Sequence, residues 1–313
     1  MGLSVPDHPE FPQQDELIYL NHAAVAPWPE RTRLAVHAFA DTNCRIGARD
    51  YPQWLKVEQR LRERLAWLIG GVDTDEIALL KNTSEGLSVI AQGLDWQPGD
   101  QIVISDQEFP SNRIPWQALA EQGVEVMEVN LDVDDPEQAI IDALNDKTRL
   151  VSLSAVQYGT GLLMNMARIG QACRARQILF CVDAIQILGA LPFDAREACA
   201  DFVVADGHKW MLGPEGLALF YCRKEVQPSL TLRQHGWHMI ANAGDYTRKD
   251  WQVVDNARRF ECGSPNMLGI HALEASLSLL QEMGMETVEA ELQARVAYLI
   301  KGLQQRGADL LSP

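Results

Sequence analysis

The sequence predicts an α/β fold in which a mostly parallel sheet lies between layers of helices. From residue 76 onward, short apolar segments alternate with amphipathic segments, which is the pattern of a doubly wound sheet. The chain has 313 residues, enough for one large domain and part of a second. The candidate strands are residues 77–81, 101–105, 125–129, 150–155, 178–183, 202–205 and 217–222.

Helical periodicity is expected before, between and after these strands. The predicted helices span residues 29–46, 52–69, 85–93, 112–122, 136–145, 165–175, 268–282 and 285–306. The last of them begins a new unit close to the end of the chain. We therefore expect an N-terminal arm (1–30), a large domain (31–266), and a connecting helix with the start of a small, incomplete C-terminal domain (267–313).

Composition excludes several classes of partner. The formal net charge is −16, from 43 acidic and 27 basic residues, so the surface repels phosphate backbones and anionic lipid. We therefore expect neither a nucleic acid nor a membrane as partner. The six cysteines form no C-x-x-C pair and several, such as Cys181, lie in apolar segments. This pattern predicts reduced, packed thiols in a cytoplasmic protein.

The strongest chemical signal is Lys209, which follows a predicted buried strand in a Gly-His-Lys turn. Ligands of such sheets bind beyond the carboxyl ends of the strands. Partial burial there would lower the pKa of the Lys209 amine and favour imine formation with an aldehyde. The alternative is a solvated loop lysine, which is equally compatible with this motif taken alone.

Asp183 ends another buried strand, 26 residues before Lys209. A carboxylate at that depth needs a protonated or cationic partner. The pyridine nitrogen of pyridoxal 5′-phosphate (PLP) is such a partner, and its protonated ring is an electron sink. Asp183 could instead cap the following helix, but its combination with Lys209 favours the cofactor.

Thr83 and Ser84 follow the first strand and open a helix. Hydroxyls and free N–H groups at a helix N-terminus form a phosphate cradle, although plain N-capping explains them equally well. No G-x-G-x-x-G or Walker A sequence is present, which argues against a dinucleotide or NTP site. His235 and His238 flank Trp237 without a third ligand at suitable spacing, so no metal is expected.

In order, four motifs resemble the class V aminotransferase family: Asn82-Thr83-Ser84-Glu85, Val182-Asp183-x-x-Gln186, Gly207-His208-Lys209 and Arg259–Asn266. The similarity runs from Tyr19-Leu20-Asn21-His22 to about residue 300. The family includes cysteine desulfurases, selenocysteine lyases and isopenicillin N epimerase-like proteins. The resemblance implies fold type I, PLP as cofactor and an amino-acid substrate.

The resemblance also assigns roles. Lys209 matches the Schiff-base lysine, Asp183 the partner of the pyridine nitrogen, and Gln186 the residue that bonds the phenolic oxygen. Phosphate contacts are implied for Thr83, Ser84 and His208, and substrate contacts for Ala23 and Ala24. Ser264 matches a residue that reaches the phosphate of the neighbouring subunit, which implies a homodimer with shared sites.

Three cofactor-site positions depart from the family pattern. Phe109 stands where desulfurases have a ring-stacking, proton-relaying His, Asp206 replaces a Ser, and Gln157 replaces an Asn. With Lys209 as the evident base at Cα, we predict transamination first. A C–S lyase or epimerase is the alternative, and a non-catalytic PLP-fold binding protein is the alternative of a different class. The Lys209–Asp183 pair argues against the last.

Overall fold

The computed structural model describes residues 8–12, 17–247 and 249–312. Its strands are β1 (Ile77–Leu80), β2 (Gln101–Ser105), β3 (Glu125–Val129), β4 (Thr148–Ser154), β5 (Leu179–Asp183), β6 (Phe202–Asp206) and β7 (Ala218–Cys222). The helices are α1 (Glu30–Ile46), α2 (Tyr51–Leu68), α3 (Thr83–Gly93), α4 (Ile114–Gln117), α5 (Pro136–Ala143), α6 (Met166–Ala175), α7 (Met267–Met283) and α8 (Met285–Gln304). The arm predicted over residues 1–30 falls partly outside the described residues.

The seven strands form one sheet in the order β1-β7-β6-β5-β4-β2-β3. Strands β2 to β6 pair in parallel, whereas β7 is antiparallel to both β1 and β6. The predicted mostly parallel α/β sheet is therefore confirmed. The carboxyl ends of β2, β4, β5 and β6 meet at one edge of the sheet, where the predicted chemical residues lie.

Each face of the sheet carries its own apolar core. In β6, Val203 packs with Leu61 and Leu65 of α2 on one face, while Val204 packs with Leu87 of α3 on the other. This alternation follows from the two-residue period of a strand. Helix α7 packs against both α1 and α2. Because both faces are covered, the strands read as nearly continuous apolar runs.

One predicted helix is wrong in form. Residues 112–122 do not make a single helix but a 3₁₀ turn (Pro110–Asn112), the short α4 and a second 3₁₀ turn (Ala118–Gln122). Proline fits only the first turn of a helix, so Pro110 and Pro115 each start a new turn. Gly123 then ends the segment with φ +80. None of the described helices is long and apolar enough to cross a membrane.

Candidate active site

Lys209 and Asp183 lie at the same edge of the sheet. Strands β5 and β6 run side by side, and the N–H of Ala184 donates to the carbonyl of Val204 at 2.8 Å just beyond Asp183. Lys209 is half-buried in the turn that follows β6. Burial lowers the pKa of its amine, against the opposing charges of Asp183 and Asp206. The amine is thereby shifted toward its nucleophilic, neutral form.

Asp183 is almost fully buried, with 2% of its surface exposed. Burial raises the pKa of its carboxyl to about 7, while the backbone N–H of Ile185, which donates to Oδ1 at 3.1 Å, and the charge of Lys209 oppose that rise. A carboxyl held this way gains strongly from a protonated partner. Asp183 is therefore placed as the sequence predicts for a pyridine-nitrogen partner, although that role remains a prediction.

Thr83 and Ser84, the predicted phosphate contacts, do not cap α3, because their neighbour Asn82 does so. Asn82, not Thr83 or Ser84, caps α3: its Oδ1 accepts from the N–H of Glu85 at 2.9 Å. Thr83 Oγ1 accepts from the N–H of Asp206 at 3.1 Å, which ties α3 to the end of β6. Ser84 Oγ donates to Ser111 Oγ at 2.8 Å. The plain capping alternative for Thr83 and Ser84 is therefore wrong.

Asp206 and His208 form a buried acid–imidazole contact. Oδ1 of Asp206 lies 3.0 Å from Nδ1 of His208, yet neither atom makes a hydrogen bond of good geometry. The carboxylate of Asp206 thus faces the imidazole of His208, and the phosphate contact of His208 stays a prediction.

Phe109 is placed beside the key lysine. The Nζ atom of Lys209 lies 5.6 Å from the centroid of the Phe109 ring. The ring is 44% exposed and meets the edge of Tyr158, with centroids 5.1 Å apart at 83°. Gln157, one residue earlier, is 1% exposed, and its Nε2 donates to Oε1 of Glu108 at 3.1 Å. Phe109 and Gln157, which both differ from the family pattern, therefore lie at the edge of the sheet that carries Lys209.

The N-terminal segment closes the site from another side. Gln186 Nε2 donates to the carbonyl of Ala23 at 3.0 Å, and its Oε1 accepts from Trp210 Nε1 at 2.9 Å. His22 stacks on Trp210 with centroids 5.6 Å apart and planes at 17°. Trp210 is therefore more than a packing residue. Ala24 is exposed next to Ala23, so both predicted substrate residues lie at this edge.

Ser264 lies on a different segment, beyond the sheet. It is exposed in the turn before α7 and lines a surface depression with Lys81 and Cys262. Its position leaves the hydroxyl available to another subunit. The homodimer with shared sites stays a prediction.

A buried ion network lies near that turn and was missed by sequence reasoning. Arg62 donates to both oxygens of Glu261 at 2.6 and 2.8 Å, to Glu58 at 2.7 Å and to the carbonyl of Ile77 at 2.9 Å. His238 joins the two glutamates, and the three ligand atoms lie within 4.8 Å of one another. The guanidinium supplies the positive charge that a metal would bring. These residues are far apart in sequence, so spacing could not reveal them.

Comparison with known proteins identifies the class of protein that this fold and site define. The family model described as "Aminotransferase class-V" matches residues 18–311. A probable cysteine desulfurase of Methanothermobacter thermautotrophicus is 31% identical over 286 residues, covering 90% of this chain and 70% of the relative. The chain belongs to the class V aminotransferase family, and the predicted resemblance is confirmed.

Solved structures agree with this assignment. A C-DES variant with glycine covalently linked to its PLP cofactor is 28% identical with a TM-score of 0.87, covering 96% of this chain and 81% of that one. C-DES, a cystine C–S lyase, in complex with its product cysteine persulfide is 28% identical with a TM-score of 0.83, covering 92% and 78%. The fold type I architecture is thereby confirmed.

Proposed function

We propose that this protein is a PLP-dependent C–S lyase that acts on a sulfur-containing amino acid such as cystine. The pairing of Lys209 with Phe109, a base beside an aromatic ring that moves no proton, suits this reaction and transamination equally, so the observation that carries the proposal is the similarity to a known lyase. The similarity to the cystine C–S lyase C-DES supports the same reaction class. The transamination that the sequence placed first is less well supported, because most of the similar proteins are named desulfurases or lyases, although two relatives are named aminotransferases.

The predicted cofactor, PLP, is confirmed by family membership and by the covalently bound PLP of one structural neighbour. The residues of this chain fit it. Lys209 offers an amine whose pKa is lowered by burial, and Asp183 offers a buried carboxyl that favours a protonated partner. Thr83, Ser84 and His208 would hold the phosphate, and Phe109 would stack on the ring.

When bound, PLP supplies an electron sink for the charge that develops at Cα. Lys209 then removes the Cα proton as general base. The Cβ–S bond breaks, and sulfur leaves with the bonding electrons as a persulfide. A persulfide is a stable anion and needs no acid to assist its departure, so Phe109 is compatible with this step. Cystine and water are converted to cysteine persulfide, pyruvate and ammonia.

The test is to supply cystine and cysteine separately and to measure pyruvate, ammonia and persulfide. The proposal expects pyruvate and ammonia in equal amounts from cystine, with persulfide as co-product. A keto acid that retains its sulfur, formed without ammonia, would instead establish transamination. Alanine from cysteine, with the sulfur released as sulfide on addition of a thiol reductant, would establish a desulfurase.

We also infer a homodimer in which Ser264 of each subunit completes the partner's phosphate site. The exposed turn before α7 supports it, and two-fold symmetry is the commonest closed assembly. Mixing Ser264→Ala with Lys209→Ala should restore partial activity in heterodimers, since one site then regains both residues. A fully active monomer in sedimentation would contradict this assembly.

A further inference from the structure

Glu108 is a buried carboxylate surrounded by neutral donors. It is 6% exposed. Its Oε1 accepts from Ser105 Oγ at 3.0 Å, from the N–H of Ser154 at 2.9 Å and from Gln157 Nε2 at 3.1 Å. Its Oε2 accepts from Asn112 Nδ2 at 2.8 Å and from Ser154 Oγ at 2.6 Å. Five donors replace the water that a buried carboxylate loses.

These donors come from the segments that carry the cofactor residues. Ser105 ends β2 and Ser154 ends β4, while Asn112 belongs to the 3₁₀ turn that begins directly after Phe109. Asn112 is itself fixed, because its Oδ1 accepts from Trp116 Nε1 at 3.0 Å and from Ser152 Oγ at 2.6 Å. Glu108 therefore locks the backbone on both sides of Phe109.

The same carboxylate decides which way the amide of Gln157 faces. An ionised carboxylate only accepts hydrogen bonds, so the amide nitrogen must point to Glu108. The amide oxygen, Oε1, is then directed away and is buried without a partner among the described residues. The N–H of Ala155 donates to the carbonyl of Asp183 at 3.0 Å, which keeps this loop at the end of β5.

We propose that Glu108 is a positioning residue of the site, which fixes Phe109 beside Lys209 and turns Gln157 so that its oxygen, not its nitrogen, is presented as an acceptor. The inference rests on the proposed PLP site, and it holds for any reaction that this site performs. The partner of the Gln157 oxygen would be a donor on the cofactor or substrate, such as a protonated phenol or an ammonium group.

The charge of Glu108 also acts on the site. Burial raises the pKa of Asp183, and the negative charge of Glu108 raises it further. The other charged or titratable groups near these two carboxyls include Cys181, Asp206 and Lys209, with His208 beside Asp206, whereas the donors that surround Glu108 are neutral. Removing the charge of Glu108 therefore disfavours protonated, cationic groups nearby. The visible band of the bound cofactor should change with pH at a lower midpoint.

The experiment compares two isosteric variants of the full-length holoenzyme, Glu108→Gln and Glu58→Gln. Both remove one buried negative charge, but Glu58 lies in the Arg62 network, away from Lys209. Thermal unfolding measures the structural cost of each. The pH midpoint and circular dichroism of the visible cofactor band, together with kcat and KM, measure the positioning effect.

Glu108→Gln should lower kcat by about 10- to 100-fold, the range that a misplaced group causes, with a KM that changes far less. The midpoint of the visible band should fall and its dichroism should weaken. Glu58→Gln should leave kcat, the pH midpoint and the dichroism of the visible band unchanged. The proposal is wrong if Glu108→Gln keeps the wild-type kcat, pH midpoint and dichroism. It is also wrong if Glu58→Gln changes these quantities as much as Glu108→Gln does.

A second arm covers the case in which Glu108→Gln does not fold. Gln157→Leu removes the oriented amide and leaves Glu108 four other donors, so it should weaken the dichroism and lower kcat in part. If Gln157→Leu has the kcat and the dichroism of the wild type, the proposed role of the oriented amide is wrong. If cystine is not cleaved by wild-type protein but the spectral changes occur, the proposed function fails while the role of Glu108 stands.

Discussion

The Arg62 network is buried, as is Asp183 near the half-buried Lys209, yet burial changes the pKa values of the two groups of residues in different ways. In the network, Glu261 and Glu58 outweigh the effect of burial, so the pKa of Arg62 is raised and its charge is secured. At the sheet edge, burial prevails and draws both pKa values toward neutrality. Where opposite charges outweigh burial the ionised groups hold structure together, whereas groups whose pKa values burial moves toward neutrality are suited to proton transfer.

The largest effect is expected from Lys209→Ala. Turnover should fall by about 10⁴-fold or more, the upper end of what one acid–base group contributes, because the covalent link is lost as well. Borohydride reduction of the wild-type holoenzyme should fix the cofactor on a peptide that contains Lys209. Lys224→Ala, which changes an exposed lysine, is the control and should keep wild-type turnover. Labelling of a peptide without Lys209 would show that Lys209 does not bind the cofactor.

Asp183→Asn should lower turnover by roughly 10- to 100-fold, as expected for a hydrogen bond to a charged group. It should also change how stability depends on pH. The pKa of Asp183 is about 7 in the folded protein against 3.8 in the unfolded chain, so the protonated form favours folding. That contribution is complete below about pH 4 and is lost as the pH rises through 7.

Denaturant titration of the cofactor-free protein at pH 5 and pH 8 checks this sign. Between these two pH values the wild type should lose up to ~3 kcal/mol more than Asp183→Asn, since roughly two pH units separate pH 5 from the pKa of about 7 and each corresponds to about 1.4 kcal/mol. An equal pH dependence of the two proteins would show that the Asp183 carboxyl is not perturbed.

Arg62→Met should affect stability and leave chemistry alone. Removing one partner of a buried ion pair costs about 3–5 kcal/mol, because the remaining charges are left without compensation. Urea unfolding measures the loss, and the visible cofactor band should keep its wild-type pH midpoint at temperatures where the variant is folded. A shift of that midpoint would show that the two clusters are coupled.

Phe109→Ala should give the smallest effect. The stacked ring contributes ~1 kcal/mol beyond simple burial, so PLP affinity should fall by about 5-fold. Tyr158→Phe, which keeps the aromatic edge that packs on Phe109, should bind PLP like the wild type. Titration of the cofactor-free variants with PLP measures both affinities. If Phe109→Ala binds PLP as tightly as the wild type, the Phe109 ring does not contact the cofactor.

The sequence predicted those features that depend on local pattern. Alternating apolar segments identified all seven strands, and the Gly-His-Lys turn placed Lys209 at a strand end. The antiparallel β7 could not be predicted, because strand direction depends on a turn that periodicity does not describe.

The hydrogen-bond clusters were equally beyond prediction. Arg62 and Glu261 are separated by 199 residues, and Glu108 meets Gln157 across 49. Such contacts arise only once the sheet has brought its edges together. Local motifs therefore located the reactive groups, whereas the residues that orient them required the structure.

The docking of the N-terminal segment has a consequence for synthesis of the chain. The N–H of Ala26 donates to the carbonyl of His208 at 2.9 Å, and Trp28 Nε1 donates to the carbonyl of Gly213 at 3.1 Å, 185 residues later. A ribosome adding roughly 5–20 residues per second takes about 10–40 s to deliver those acceptors. Residues 19–28 emerge before the Lys209 turn and must wait for it, so the pocket closes only after residue 213 has been translated.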